Sequence, residues 1–218
     1  MAELRAVLFD LDGVLTDTAH YHFQSWQVIA EELGITHDEE QNEKLKGVDR
    51  LASLMIILGD RAGEFSEVQI QDMMRRKNEI YVEKIKQMSP ADRYEGCVEL
   101  LTALRDAGIF VAVGSSSKNA RPVIDYIQIG NLLDAVVDGT ELENGKPDPE
   151  VFLKAAAKLG VSPEDCVVVE DAEAGVEAAL RGGMKAVGFG HPGSLQKAHL
   201  LVNSLKQLSV EKFRELFR

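Results

Sequence analysis

Two carboxylates stand two positions apart in Ala6-Val7-Leu8-Phe9-Asp10-Leu11-Asp12-Gly13-Val14, after a short apolar run and just before a glycine. The pattern reads as a buried strand that delivers acids to a loop. On an extended chain, positions two apart lie on one side, so Asp10 and Asp12 can face a common site, one as nucleophile and the other as proton carrier. Ser115, Ser116 and Ser117 follow a second apolar run, Ile109-Phe110-Val111-Ala112-Val113-Gly114. Glu170 and Asp171 follow a third, Cys166-Val167-Val168-Val169. Those two acids also suit the start of a helix over residues 172–180, a role compatible with metal binding. Lys146, in Gly145-Lys146-Pro147-Asp148-Pro149, places a cation just ahead of a proline-marked helix start. A nucleophile, a proton handler, oxygen ligands for a hard metal ion and fixed phosphate-holding groups are what phosphoryl transfer needs.

Residues this far apart in sequence can meet only if the chain alternates between strands and crossovers. Strand-like runs near residues 6–9, 109–113, 135–137, 166–169 and 185–188 alternate with helix-like segments near 97–107, 119–128, 149–159 and 173–182. The alternation predicts an α/β fold: a doubly wound, mostly parallel sheet with helices on both faces and its ligand site at the carboxyl ends of the strands. Between the first and second strand-like runs lie about 80 residues, roughly 15–92, too many for a single crossover and without strand patterns. This segment reads as an inserted helical cap domain over residues 17–90, leaving a core domain of residues 1–16 and 91–218. Hinges are expected near Asp17 and Pro90-Ala91-Asp92. Tyr21, Trp26, Ile29, Ile56, Leu58, Ile80 and Tyr81 are expected to form the helical core of the insertion.

A chain of 218 residues with 45% hydrophobic content can bury a full core. Its net charge of −12 argues against nucleic acid as a partner, since phosphate-backbone binding needs a basic face. An anionic substrate must then be held by a local cluster of cations. Cys97 and Cys166 have no C-x-x-C spacing, which points to core residues in a reducing compartment and away from disulfides or zinc. No apolar run approaches a membrane span, and the first residues lack a basic-then-apolar leader pattern. The expectation is a cytoplasmic protein, monomeric, with no membrane partner.

In chain order, Asp10-Leu11-Asp12-Gly13, Ser115, Lys146 and Glu170-Asp171 resemble the four motifs of the haloacid dehalogenase (HAD) superfamily of aspartate-nucleophile phosphotransferases. The resemblance covers nearly the whole chain and implies a Rossmann-like core. It implies that Asp10 attacks phosphorus to form an aspartyl phosphate and that Asp12 protonates the leaving oxygen. It further implies Mg2+ held by Asp10, Glu170 and Asp171 with the backbone carbonyl of Asp12, and Ser115 and Lys146 on the transferring phosphate. A silent binding protein of this type would be expected to have lost Asp10, Asp12 or Asp171, and a dehalogenase would lack Asp12.

Three further stretches, 17–22, Lys46-Gly47-Val48-Asp49-Arg50 and Ser115-Ser116-Ser117-Lys118-Asn119, resemble the sugar-phosphate mutase subgroup of that superfamily. Thr18 and His22 are four apart and share a face if the segment is helical; the resemblance implies that His22 orients Asp12. It places Arg50 with Ser117, Lys118 and Asn119 around a second, non-transferring phosphate, and Lys46, Gly47 and Val48 beside the sugar. Lys77 matches a site-facing position, although a basic helix face explains Arg75-Arg76-Lys77 equally. Ser116 stands where the subgroup more often has a small apolar residue. The activity implied is interconversion of β-D-glucose 1-phosphate and glucose 6-phosphate through β-glucose 1,6-bisphosphate, with a sugar-phosphate phosphatase as the alternative.

Overall fold

The computed structural model describes residues 2–45, 48–191, 193 and 195–218. They divide into two compact units, Met1–Asp17 with Met88–Arg218, and Thr18–Gln87.

In the first unit the apolar runs become β1 (Ala6–Phe9), β2 (Phe110–Gly114), β3 (Ala135–Val137), β4 (Cys166–Glu170), β5 (Lys185–Phe189) and β6 (Leu200–Val202). All pair in parallel, in the order β3-β2-β1-β4-β5-β6. Every residue of β1 and β4 is buried, as expected of central strands covered on both faces, so their sequences run continuously apolar instead of alternating. The sheet order is that of doubly wound nucleotide-type folds, with its ligand crevice at the carboxyl edge. The edge strand β6 was not expected from the sequence.

The second unit is helical: α1 (Ala19–Glu32), α2 (Glu39–Glu43), α3 (Arg50–Leu58) and α4 (Glu67–Ile85). Side chains close three of the starts. Asp38 accepts the Gln41 N–H, Asp49 accepts the Ala52 N–H, and Ser66 with Gln69 forms a capping box. Trp26, Ile29, Leu54, Ile57, Leu58, Ile70 and Met73 form the core, with Ile80 packed at its margin. Ile56 departs from expectation and is 44% exposed. On α3 the buried stripe is Leu54, Ile57 and Leu58, and Ile56 lies two residues from both Leu54 and Leu58, on the opposite side of the helix. Lys46 and Gly47 lie outside the described residues.

The first unit continues with α5 (Cys97–Asp106), α6 (Ala120–Tyr126), α7 (Glu150–Leu159), α8 (Glu173–Arg181) and α9 (Val210–Glu215). Small residues of α7 and α8, such as Ala155, Ala178 and Ala179, pack with Leu8, Ala112 and Val168 of the sheet. The points where the chain leaves and re-enters this unit are stitched together. Thr16 Oγ1 donates to Asp92 O at 2.7 Å, and the Tyr94 N–H donates to Leu15 O at 3.0 Å. Both cysteines are buried and free, and burial pushes each thiol up to about 12, so neither is a nucleophile. Among the described residues no helix is long and apolar enough to cross a membrane.

Candidate active site

Parallel pairing in this order puts the carboxyl ends of β4, β1, β2 and β3 side by side. Glu170 is the last residue of β4, and Asp10, Ser115 and Asp138 are the first residues beyond β1, β2 and β3. Two ladder bonds extend past the strand ends and fix the exits. The Asp10 N–H donates to Val169 O and the Ser115 N–H to Val137 O, both at 3.0 Å. Because β1 stops at Phe9, Asp12 does not share a face with Asp10 by strand alternation. A bend at Leu11 and a turn closed by Gly13 N–H to Thr16 O, at 2.8 Å, bring Asp12 round until its Oδ2 lies 3.5 Å from Ser115 Oγ.

Asp10, Glu170 and Asp171 converge, with one carboxylate oxygen from each within 4.8 Å of the others. Lys146 Nζ is 2.9 Å from Asp10 Oδ1 and 2.9 Å from Glu170 Oε2. Burial would lower the Lys146 ammonium, but Asp10 and Glu170 outweigh it and hold the group above its ordinary range, so Lys146 stays charged. One cation does not balance three acids. Burial, joined by Asp10 and Asp171, pushes Glu170 well above the usual carboxylate range against the pull of Lys146. Grouped hard oxygen donors with surplus negative charge fit a divalent cation of the Mg2+ or Ca2+ type.

Two glycines make room for these acids. A Cβ on Gly13, whose φ is +83°, would lie 2.2 Å from Asp171 Oδ2, and one on Gly175 would lie 2.1 Å from Glu170 Cδ. The expected role of these acids at a helix start is met in part by Glu170. Ala172 occupies the cap position of α8 without a side-chain bond, and Glu170 Oε1 accepts the Ala172 N–H at 3.2 Å.

The loop after β2 is ordered by its own hydroxyls: the Ser117 N–H donates to Ser115 Oγ at 3.1 Å and the Asn119 N–H to Ser117 Oγ at 3.2 Å. Ser116 Oγ is buried with no hydrogen-bond partner among the described residues. Lys118 is exposed, while Ser117 and Asn119 are half-buried.

In the helical unit two i,i+4 pairs face each other, His22 with Trp26 on α1 and Lys77 with Tyr81 on α4. Thr18, at the cap position of α1, is buried, and its carbonyl accepts the His22 N–H at 3.1 Å. Lys77 is 3% exposed, and its ammonium lies 2.7 Å from His22 Nδ1 and about 5 Å from the ring centroids of Trp26 and Tyr81. Lys77 is therefore no part of a solvated basic face. Arg50 opens α3 and donates to Asn78 Oδ1 at 2.7 Å. Val48, immediately before the Asp49 cap, is half-buried.

A family model described as haloacid dehalogenase-like hydrolase matches residues 4–183. The chain belongs to the haloacid dehalogenase-like hydrolases. Among proteins similar to it, β-phosphoglucomutase of Bacillus subtilis (strain 168) is 42% identical over 214 residues, covering 97% of this chain and 95% of that protein. The crystal structure of β-phosphoglucomutase from Clostridium difficile is 39% identical and matches with a TM-score of 0.93, covering 97% of this chain and 96% of that one. A phosphorylated carbohydrates phosphatase of Thermotoga maritima is 30% identical over 188 residues, 84% of each chain.

Around the HAD motifs the structure adds residues that the sequence did not single out. Glu150 accepts the N–H groups of Glu143 and Asn144, at 3.1 and 2.8 Å, and so ties the loop that carries Lys146 to the first turn of α7. Asp138 and Gly139 support the loop after β2, and Asn78 receives Arg50. Apart from the Asp138 bonds to Thr140, these contacts join groups six or more residues apart, which no local spacing announces; only the i,i+4 relation of Lys77 and Tyr81 was there to be read.

Proposed function

We propose that this HAD-like enzyme is a cytoplasmic, monomeric β-phosphoglucomutase, interconverting β-D-glucose 1-phosphate and glucose 6-phosphate through bound β-glucose 1,6-bisphosphate. The observation that carries the phosphotransfer is Asp10 at the carboxyl edge of the sheet, paired with Lys146 beside Glu170 and Asp171. Similarity to mutases over nearly the full length favours a sugar as acceptor over water. In this reading an Asp10 oxygen attacks phosphorus as the bond from phosphorus to the sugar oxygen breaks, and Asp12 gives that oxygen a proton. Asp12 then takes the proton from the 6-hydroxyl of a β-glucose 1-phosphate as that hydroxyl attacks the aspartyl phosphate, giving the bisphosphate, which turns round so that Asp10 takes the other phosphate and glucose 6-phosphate is left. Ser115 and Lys146 hold the transferring phosphate, Lys146 as a fixed charge. Asp10, Glu170, Asp171 and the Asp12 carbonyl would hold Mg2+, which when bound neutralises phosphate oxygens.

The helical unit Thr18–Gln87 is read as the inserted cap that selects the substrate. Arg50, with Ser117, Lys118 and Asn119, takes the non-transferring phosphate, a task suited to a planar guanidinium. Lys46, Gly47 and Val48 are assigned to the sugar, Ser116 to the phosphate, and Thr18 and His22 to the orientation of Asp12, with Lys77 holding His22. The relationship to a carbohydrate phosphatase favours one second reading, in which water replaces the sugar hydroxyl.

The test supplies β-glucose 1-phosphate, Mg2+ and a trace of the bisphosphate, and follows glucose 6-phosphate and free phosphate in one tube. Sustained glucose 6-phosphate with little free phosphate is expected, and Asp10→Ala should abolish both products. Free phosphate without the isomer would replace the mutase by the phosphatase.

A further inference from the structure

Asp138 is 2% exposed, buried at the carboxyl edge of the sheet, and has no part assigned above in phosphoryl transfer. Its carboxylate is nonetheless fully engaged. Oδ1 accepts the Thr140 N–H at 2.8 Å together with the Thr140 hydroxyl, closing a tight turn over 138–140. Oδ2 accepts from Arg121 Nε at 2.7 Å, and Arg121 lies in the first turn of α6, the helix that continues directly from Asn119.

Between these two ties lies Gly139. Its N–H donates to Ser117 O at 3.0 Å, and a Cβ there would lie 2.3 Å from Ser116 O, so the two backbones are in direct contact. The turn made by Asp138 therefore presses on the middle of the loop after β2, while the ion pair from Asp138 holds the loop's far end. Ser115, at the near end, is secured separately by its ladder bond to Val137. Arg121 and Lys158 add bonds to Val136 O and Glu141, bracing the exit of β3.

We propose that Asp138 is a positioning residue: through the Gly139 contact and the Arg121 ion pair it sets the placement of Ser117, Lys118 and Asn119 relative to Ser115, and so tunes affinity for the part of a sugar phosphate remote from the transferring group. The inference rests on the assignment of this loop to the substrate's non-transferring phosphate. It predicts an unequal effect, because a misplaced distal clamp weakens sugar-phosphate binding while a small aryl phosphate, lacking the distal phosphate, needs only Ser115, Lys146 and Asp10.

The experiment compares the parent with Asp138→Asn, Arg121→Met and the double variant, reading KM and kcat for β-glucose 1-phosphate and turnover of p-nitrophenyl phosphate, well below each melting temperature. Asparagine keeps an acceptor for Thr140 and loses the charge facing Arg121. Arg121, with a side chain 55% exposed, can be truncated without opening a core cavity, and Asp138 then keeps its bonds from Thr140. Each single variant is expected to raise KM about tenfold with a much smaller fall in aryl phosphate turnover, and the double variant to be no worse than the poorer single. Unchanged KM, or equal losses on both substrates that follow the fraction of folded protein, would overturn the proposal. So would additive effects in the double variant. A parent that releases phosphate without isomerising would overturn the mutase reading instead, and KM for hexose phosphate hydrolysis would then provide the same comparison.

Discussion

Lys77 Nζ lies 2.7 Å from His22 Nδ1, and this contact decides which imidazole nitrogen carries the proton. An ammonium has three donors and no acceptor, so Nδ1 accepts and Nε2 holds the hydrogen. Burial, then Lys77, then Arg50 hold the His22 pKa well below its ordinary value, which favours the neutral ring. Nitrogen-15 NMR of the imidazole should find the Nε2–H tautomer with no titration between about pH 6 and 8. Lys77→Met removes one of the three causes and should bring the titration upward. A parent His22 titrating near the usual value of about 6.5 would contradict this geometry.

Gly13→Ala should damage the proposed metal site without replacing any of its ligands. The new methyl would overlap Asp171 Oδ2, and the backbone at φ +83° disfavours any side chain. Displacing the carboxylate should weaken Mg2+ binding at least about tenfold by calorimetry, as disturbed support of metal ligands commonly does. Parent-like Mg2+ affinity in a folded Gly13→Ala protein would exclude Asp171 from the metal's shell.

The parts of the fold written as continuous apolar runs were legible: β1, β4 and all of β2 after Phe110 are buried, and the polar residues just past them mark the carboxyl edge. The face shared by Asp10 and Asp12 was argued from strand alternation, yet the strand ends at Phe9 and a turn does that work. Ile56 looked like core because it is apolar, but helical phase put it outside. Glu170 and Asp171 were readable both as a helix start and as ligands, and the bond from the Ala172 N–H to Glu170 Oε1 is compatible with both. Asp138 and Glu150 were illegible for a different reason. Glu150 bonds backbone N–H groups of the preceding loop and Asp138 pairs with the Arg121 side chain of α6, and in sequence each is one acid among the 36 Asp and Glu residues of a chain with net charge −12.

Lys146→Met should destabilise the protein in a way that Mg2+ partly reverses. The substitution strands Asp10 and Glu170 without the ammonium that lies 2.9 Å from each, and breaking a buried pair this way costs about 3–5 kcal/mol. A divalent cation bound by the same acids restores positive charge and stabilises in proportion to its occupancy. Thermal melts with EDTA and with excess Mg2+ should show a larger metal-induced rise in Tm for the variant than for the parent. Equal rises would mean that Lys146 and the metal do not share the acid cluster.

Asp138 should also leave a signature in the pH dependence of stability. Burial alone would raise its pKa, but the hydrogen bonds from Thr140 and the charge and hydrogen bond of Arg121 outweigh it and hold the carboxyl below its ordinary value. A depressed folded-state pKa contributes stability that is complete above the unfolded value of about 3.9 and is lost as pH falls through the folded value. Asparagine cannot ionise and lacks that contribution at every pH. The stability gap between the parent and Asp138→Asn, from urea unfolding, should therefore stay constant from about pH 7 to pH 5 and close progressively below about pH 4. A gap that widens toward acid would mean that the folded state raises the Asp138 pKa, and that its bonds to Thr140 and Arg121 do not outweigh its burial.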